Sequence, residues 1–266
     1  MKIFISADIE GVAGIANWEE ARKTSEAYPY FAEQMSKEVG AACEGATMAG
    51  AREILIKDAH GSGRNIDPSK LTENAKIIRG WSGHPYKMLQ GIDESFDAVV
   101  FIGYHSYGGS NENPLAHTIN SSIIDYMKLN GEYLSEFSMY SYLAAYLGVP
   151  VAFLSGDKGL CEDAKKLNEN IVTVAVSEGK GAASMSIHPN KAVNLIKEGM
   201  KDALKGDLNK NKIELPKKFS LEIRYNFHGN AYKNSFYPGV VQNSPKSIIF
   251  ETDNYFEIMR ATSFLI

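Results

Sequence analysis

Short runs of apolar and β-branched residues alternate along most of the chain with longer stretches of helical periodicity. This alternation is typical of βαβ units and predicts a largely parallel sheet flanked by helices. The predicted strands cover residues 3–7, 53–57, 98–103, 151–154 and 172–176. Helical spacing of the apolar residues predicts helices over about 31–50, 135–147, a segment around 164, and 188–206.

The pattern changes twice along the chain. Residues 119–134 alternate between apolar and polar around Asn130-Gly131, which predicts a tight β-hairpin. Residues 207–218 are mostly polar and form the best linker candidate, after which strands are predicted at 220–225 and 247–251 and a helix near 255–262. We therefore predict an α/β domain over residues 1–206 and a smaller C-terminal α+β portion over 219–266, either as an appendage or as part of the same domain.

The 266 residues carry a formal net charge of -4 at pH 7, and 44% of them are hydrophobic. This balance gives no electrostatic reason to expect a nucleic acid or a membrane surface as partner. Cys43 and Cys161 form no C-x-x-C pattern, which argues against a disulfide framework or a zinc ribbon. Asp8 and Glu10 interrupt the first apolar run before a secretory signal could form, and no stretch approaches the ~18 apolar residues of a membrane helix. We expect a soluble cytoplasmic protein.

Three predicted strands lead directly into residues that can ligate a metal ion. The segments that follow them are Asp8-Ile9-Glu10, Asp58-Ala59-His60 and Tyr104-His105. Because the carboxyl ends of parallel strands share one sheet edge, these side chains should converge. Alternate residues of an extended segment point the same way, so Asp8 should face the same point as Glu10, and Asp58 the same point as His60. Carboxylates and imidazoles are ligands that suit Zn, Mn, Fe or Co.

Other residues could complete such a site. His117 lies in a Pro-containing loop just before the hairpin and could reach over the same crevice. Glu136 opens the following helix, and Glu132 and Glu112 compete with it on sequence alone. The alternative to a metal or acid/base site is a set of hydrogen-bonded structural histidines with Asp8 as a cap. The motifs of nucleotide-phosphate loops, of serine hydrolases with a nucleophile elbow and of zincins are missing.

In their order and spacing, five segments resemble the D-aminopeptidase DppA family, the M55 metallopeptidases. They are Asp8-Ile9-Glu10-Gly11-Val12-Ala13-Gly14, Asp58-Ala59-His60-Gly61, Gly103-Tyr104-His105-Ser106, His117-Thr118 and Ser135-Glu136. The resemblance is collinear from Met1 to about Val176, and it is specific as a set rather than segment by segment. Ser135 stands where a Gly often precedes the metal-binding Glu.

The resemblance implies a dinuclear zinc site within residues 1–206, for which Mn²⁺ or Co²⁺ are alternative metals. Asp8 would bridge both ions. Glu10 and His60 would complete the coordination of one ion, and His105 and Glu136 that of the other. The implied reaction releases an N-terminal residue, typically a D-amino acid, from a short peptide. The family also implies a ring-based homo-oligomer, a decamer of two five-membered rings.

His117 matches the position of the catalytic residue, a proposed nucleophile, in this family. From its chemistry alone a histidine ranks first as a proton shuttle or oxyanion stabiliser and second as a nucleophile on an amide. Two other functions are compatible with the same residues. One is a dinuclear-metal amidohydrolase or phosphoesterase acting on another small substrate, and the other is a non-catalytic oligomer stabilised by metal.

Overall fold

The computed structural model describes residues 1–266 and contains twelve β-strands, seven α-helices and three short 3₁₀ helices. The strands are β1 (Lys2–Ala7), β2 (Glu53–Asp58), β3 (Ala75–Ile78), β4 (Ala98–Tyr104), β5 (Ile124–Leu129), β6 (Glu132–Tyr133), β7 (Val151–Asp157), β8 (Val172–Lys180), β9 (Ala183–Ser186), β10 (Phe219–Tyr225), β11 (Val240–Ser244) and β12 (Ser247–Thr252). The helices are α1 (Trp18–Ala21), α2 (Tyr28–Met48), α3 (Glu136–Tyr146), α4 (Lys158–Leu167), α5 (Pro189–Lys205), α6 (His228–Asn234) and α7 (Tyr255–Leu265). The 3₁₀ helices cover Pro68–Lys70, Lys87–Leu89 and Leu208–Asn211.

The main sheet has seven strands in the order β3-β2-β1-β4-β7-β8-β9. All of its pairings are parallel except that of β8 with the edge strand β9. The predicted α/β class with a largely parallel sheet is therefore confirmed. The chain passes from β1 to β2 on one side and later returns to β4 on the other side of β1, which makes the carboxyl edge of β1 and β4 a topological switch point. Ligand crevices of open α/β sheets lie at such points.

Alternation of side chains in β1 supplies both hydrophobic cores. Ile3 and Ile5 belong to the core beneath α2 and α5, whereas Phe4 belongs to the opposite core, which also contains residues of α3, α7 and the second sheet. The strand is therefore buried on both faces, as expected for a central parallel strand, and its end is a rigid support for the residues that follow.

The second sheet is antiparallel, with strand order β11-β12-β10-β5-β6. The predicted hairpin joins β5 to β6 through Asn130 and Gly131, which have φ angles of 52° and 89°. These are the positive φ values that a two-residue hairpin turn requires. Strand β10 pairs with β5, so the C-terminal portion shares this sheet with the chain before residue 207. No helix of the structure is long and apolar enough to cross a bilayer.

A buried carboxylate connects α2 to the segment after β1. Glu38 is fully buried, and its Oε1 accepts hydrogen bonds from the Ala13 backbone N–H at 2.9 Å and from Gln34 Nε2 at 2.8 Å. Its Oε2 has no hydrogen-bond partner. Burial raises the pKa of Glu38 to about 7, even though both hydrogen bonds favour the charged form.

We expect Glu38→Gln to remove a pH-dependent loss of stability. Because the pKa of Glu38 is higher in the folded protein, its contribution to stability is complete below its ordinary pKa and is lost as the pH rises through about 7. The free energy of unfolding of the variant relative to the wild type should therefore increase between pH 4.5 and 7.5, by on the order of 2 to 3 kcal/mol. Urea denaturation of both proteins across this range measures the difference. A difference that is constant with pH would contradict the prediction.

Candidate metal centre

A cavity of about 500 Å³ opens at the carboxyl ends of β1, β2 and β4. Five of the six predicted site residues line it, namely Asp8, Glu10, His60, His117 and Glu136. The sixth, His105, is fully buried against them, and its ring stacks on that of His117 with a centroid distance of 4.3 Å. The structure thus brings these six residues together, in two clusters.

The first cluster consists of Asp8, Glu10 and His60. Nδ1 of His60 lies 3.3 Å from Asp8 Oδ1 and 3.0 Å from Glu10 Oε2. On the other side of the ring, Nε2 is 2.8 Å from the carbonyl oxygen of Ala21 and therefore carries the proton that it donates to that carbonyl. A metal-ligating histidine is usually oriented in this way, with one nitrogen hydrogen-bonded to the protein and the other directed at the ion.

The second cluster consists of His105, His117 and Glu136. Nε2 of His105 lies 3.8 Å from Glu136 Oε2, and Nε2 of His117 lies 3.5 Å from Glu136 Oε1. Each ring directs Nδ1 at a backbone carbonyl 2.9 Å away, that of Ser106 for His105 and that of Leu115 for His117. Both Nε2 atoms are thereby left as acceptors that face the carboxylate.

Asp8 connects the two clusters. While its Oδ1 faces His60, its Oδ2 lies 3.7 Å from Nε2 of His105. Glu10 has no such second contact with the other cluster among the ion pairs of the site. Asp8 is therefore the carboxylate whose two oxygens face one histidine of each cluster.

The cavity concentrates negative charge. Burial and the neighbouring Glu10 raise the pKa of Asp8, and burial together with Asp8 and Glu10 raises the pKa of Glu136 to about 8. Burial acts in the same direction on Glu10, but His60 outweighs it and holds the pKa of Glu10 well below its ordinary value. Burial disfavours the charged form of His60 as well, yet Glu10 and Asp8 raise its pKa well above the ordinary value. Three buried carboxylates that raise one another's affinity for positive charge form an environment that favours bound cations.

The donor set fits a metal ion. In each cluster the potential ligand atoms lie within 4.8 Å of one another. His105 Nε2 is buried and has no hydrogen-bond partner, which is costly for a polar atom unless a ligand satisfies it. Nitrogen and oxygen donors of this kind suit zinc and other divalent transition metals.

Two glycines allow the ends of β1 and β4 to approach each other. Gly11 donates a backbone hydrogen bond to the carbonyl oxygen of Gly103 at 2.8 Å, and a Cβ on Gly11 would lie 1.8 Å from the carbonyl oxygen of Tyr104. Gly103 has φ +70°, and a Cβ there would lie 2.4 Å from the carbonyl oxygen of Asp8. These two glycines therefore allow close packing of the two strand ends that carry Asp8 and His105.

We therefore expect Gly103→Ala to be severely destabilising. Gly148 is a matched control, because its φ of +73° is similar but a Cβ on it would meet nothing within 4 Å. Gly148→Ala should cost the roughly 1–2 kcal/mol of a left-handed alanine, whereas Gly103→Ala should cost at least about 3 kcal/mol or abolish soluble expression. Chemical denaturation of both variants measures the comparison, and equal losses would show that the contact with Asp8 is easily relieved.

Glu136 is held in place by the start of α3 and by a strained residue. Ser135, the residue that stands in place of a common Gly, caps α3 by accepting a hydrogen bond from the Ser138 N–H at 3.0 Å. The N–H of Ile119 donates to Glu136 Oε1 at 2.7 Å, and Ile119 has φ +65°. A β-branched residue rarely adopts this conformation, so the backbone of Ile119 is strained. The strained conformation directs its N–H at the Glu136 carboxylate and orients that group.

One expectation about the second motif is wrong. Asp58 does not face the same point as His60. Its Oδ2 accepts hydrogen bonds from the backbone N–H groups of Asn65 and Ile66 at 2.5 and 2.9 Å, and its Oδ1 accepts one from Asn65 Nδ2. Asn65 also donates to the carbonyl oxygen of His60, so Asp58 shapes the loop that carries His60 rather than lining the cavity.

A hydrogen-bond network that supports the loops of the site lies at the end of a fourth strand, and the sequence analysis did not identify it. Asp157, the last residue of β7, accepts hydrogen bonds from the N–H and the hydroxyl of Ser106 at 2.7 and 2.6 Å. Asn113 Nδ2 contacts Asp157 at 3.2 Å and the carbonyl oxygen of Glu10 at 3.0 Å. The network ties the loop after β1 to the loop after β4. The rule that found the other strand ends would have pointed to Asp157 as well.

The two glutamates that compete with Glu136 on sequence alone do not line the cavity. Glu132 is exposed in β6 and lines a separate groove, and Glu112 lies close to Gly159 at the start of α4. Trp18, Trp81 and Lys87 also line the cavity, but no pattern in the sequence indicates them because they lie outside the strand-end motifs.

The fold and the two clusters define an α/β protein with a histidine and carboxylate centre of the kind found in metal-dependent hydrolases. The chain belongs to the M55 peptidases: the model of that family, described as D-aminopeptidase, matches residues 1–264. This confirms both the family that the sequence indicated and the class of enzyme, a peptidase.

Comparisons with a known sequence and with a solved structure show the same relationship. The D-aminopeptidase of Bacillus subtilis strain 168 is 26% identical over 266 residues, which cover 98% of this chain and 95% of that protein. A solved structure described as the Zn-dependent D-aminopeptidase DppA from Bacillus subtilis, a self-compartmentalizing protease, is 25% identical and has a TM-score of 0.91. The match covers 100% of this chain and 96% of that chain.

Proposed function

We propose that this protein is a zinc-dependent D-aminopeptidase that releases N-terminal residues from short peptides, using two metal ions per chain. The observation that carries the proposal is Asp8, whose two carboxylate oxygens face His60 at 3.3 Å and His105 at 3.7 Å. A carboxylate between two histidine clusters has the placement expected of a ligand that bridges two ions. The zinc dependence and the activity given for the Bacillus subtilis protein, together with its TM-score of 0.91, support the same function.

The residues divide between the two ions as follows in this proposal. Asp8 would contact both ions, Glu10 and His60 would complete one site, and His105 and Glu136 would complete the other. Mn²⁺ or Co²⁺ could replace zinc at nitrogen and oxygen donors. When bound, a pair of such ions lowers the pKa of a water molecule toward neutrality and polarises the scissile carbonyl.

His117 acts on the substrate in this proposal. Its Nδ1 is occupied by the Leu115 carbonyl, so Nε2 is the nitrogen that can accept a proton from the attacking water and donate it to the leaving nitrogen. The edge-to-face contact of its ring with Trp18, at a centroid distance of 5.2 Å, and its stacking on His105 limit its rotation. This pre-orientation favours a proton shuttle over a nucleophile.

We also propose a ring-based homo-oligomer, a decamer, in the cytoplasm. The Bacillus subtilis protein is described as self-compartmentalizing. In this chain five large apolar side chains of the C-terminal portion are exposed: Phe227, Tyr232, Phe236, Val241 and Phe264. Exposed apolar surface of this extent favours association, and the free buried thiols of Cys43 and Cys161 are suited to a reducing compartment. Light scattering that gives a fully active monomer of 29.3 kDa would contradict the assembly.

One set of assays tests the activity. The protein is stripped with a chelator, reloaded with Zn²⁺, Mn²⁺ or Co²⁺, and assayed on matched D- and L-aminoacyl amides, short peptides and a phosphoester. The proposal predicts metal-dependent release of N-terminal D-residues and about two ions per chain by elemental analysis. Turnover of the phosphoester alone would indicate a different hydrolase. Metal binding without turnover of any substrate would indicate a stabilised oligomer.

A further inference from the structure

Lys87 has an unusual backbone conformation. It opens the 3₁₀ helix Lys87–Leu89 in the connection between β3 and β4, lines the cavity, and has φ +38°. Only two other non-glycine residues have positive φ. Asn130 lies in the hairpin turn and Ile119 orients Glu136. Lys87 is held in consecutive tight turns, because its N–H donates to the carbonyl oxygen of His84 at 3.0 Å and its own carbonyl oxygen accepts from the N–H of Gln90 at 3.0 Å. Backbone strain held at a cavity wall commonly reflects a requirement on the side chain.

The ammonium group of Lys87 has no counter-charge in direct contact, although the Glu136 carboxylate lies near enough to favour its charged form. It forms no ion pair, and its one hydrogen bond is a long contact of 3.5 Å with the carbonyl oxygen of Thr262. Lys57, a buried lysine on β2, is by contrast bonded to the carbonyl oxygens of Asp58 and Gly80 and lies over the ring of Trp81. A half-buried cation without a partner is costly unless a ligand supplies the opposite charge.

The position of Lys87 is fixed by the residues that follow it. The Ser6 hydroxyl, on β1, donates a hydrogen bond to the carbonyl oxygen of Met88 at 2.7 Å, and both Met88 and Leu89 are buried. The segment is thereby anchored in the core directly beneath the cavity. Such anchoring holds the strained conformation and pre-organises the lysine for binding.

Lys87 also complements the charges of the site. It is the only lysine or arginine among the residues that line the cavity, whereas the acidic side chains Asp8, Glu10 and Glu136 belong to the metal clusters. A short peptide carries an amino group at one end and a carboxylate at the other. A cavity of about 500 Å³ is large enough for a ligand of a few residues.

We propose that the Lys87 ammonium binds the free C-terminal carboxylate of a short peptide whose N-terminal residue lies at the metal clusters. The inference rests on the proposed aminopeptidase function and adds to it the group that recognises the far end of the substrate. A lysine is suited to this role because it acts as a point charge that can follow carboxylates of slightly different reach. Such a contact selects peptides by length and by the presence of a free carboxyl terminus.

The test compares Lys87→Met and Lys87→Arg with the wild type on a D-residue dipeptide and on the same dipeptide amidated at its C-terminus. The methionine keeps the apolar stem of the side chain and removes the charge, whereas the arginine keeps the charge. For Lys87→Met we expect KM for the free dipeptide to rise by about 10- to 100-fold, as loss of a charge-assisted hydrogen bond implies. Its kcat, its metal content and its KM for the amide should change by less than about threefold, and Lys87→Arg should retain most of the preference for the free dipeptide.

Lys23→Met serves as the control for general electrostatics. Lys23 lines a neighbouring groove beside His60, and its substitution should leave both KM values unchanged. A fall in kcat on both substrates in Lys87→Met would assign the lysine to stabilisation of the scissile carbonyl and overturn the proposal. A wild type that cleaves both substrates equally well would overturn the carboxylate contact alone, whereas a wild type that cleaves neither would overturn the proposed function with it.

Discussion

Asp8→Ala is expected to yield protein that retains neither metal ion and has no measurable peptidase activity. Glu10→Ala, two residues further along and equally buried, should lose mainly one ion. The difference follows from the contacts: Asp8 faces histidines of both clusters, whereas Glu10 faces His60 only. A carboxylate between two cations also offsets their mutual repulsion, so its removal weakens both sites at once.

Elemental analysis of the two variants, purified without chelator and equilibrated with zinc, measures this effect. Circular dichroism on the same samples controls for loss of the fold, since Asp8 is buried at the end of β1. We expect about zero ions per chain for Asp8→Ala and about one for Glu10→Ala, against two for the wild type. Selective loss of a single ion in both variants would show that Asp8 belongs to one site only.

The convergence of Asp8, Glu10, His60 and His105 could be predicted because it depends on only two features of the sequence. The first is the order of strands and helices, which specifies a parallel sheet, and the second is the position of each polar residue directly after a buried strand. Parallel topology then places the strand ends at one edge regardless of the loops between them. Residues 1–60 and 98–105 contain both the buried strands and the polar residues that follow them.

The orientation of Asp58 could not be predicted in the same way. The rule of alternation holds only while the chain remains extended, and the chain leaves β2 at Asp58 and turns at Gly61, which has φ +51°. The backbone N–H groups of Asn65 and Ile66 then compete for the carboxylate and bind it. Such competition depends on the path of a loop, on which the periodicity of the sequence has no bearing.

The residues that form the walls of the cavity could not be predicted from the sequence either. Trp18 belongs to a four-residue helix, Lys87 to a 3₁₀ turn, and Ile119 to a strained loop before β5. None of these segments has a period long enough to indicate which side chain points inward. Four short or peripheral elements were not predicted for a related reason: β3, β9, β11 and α6. Few of their residues are buried, so their apolar pattern is weak.

The role of His117 is the least constrained by geometry alone. Its Nε2 lies 3.5 Å from Glu136 Oε1, and with His105 and Glu136 it forms a group of donors that could itself hold a metal ion. Its side chain is nevertheless the more accessible of the two stacked histidines, because His105 is fully buried and His117 lines the cavity. This exposure favours His105 as the ligand and His117 as the residue that meets the substrate.

We therefore expect His117→Ala to keep the fold and both metal ions while turnover falls by ~10² to 10⁴-fold, the loss typical of removing a general acid or base. The effect should lie chiefly in kcat, since the lost interaction belongs to the transition state. His105→Ala should lose metal and activity together. Parallel measurement of metal content and steady-state kinetics on both variants separates the roles. Loss of an ion from His117→Ala would make His117 a ligand, and near-normal turnover with full metal content would reduce it to a structural loop histidine.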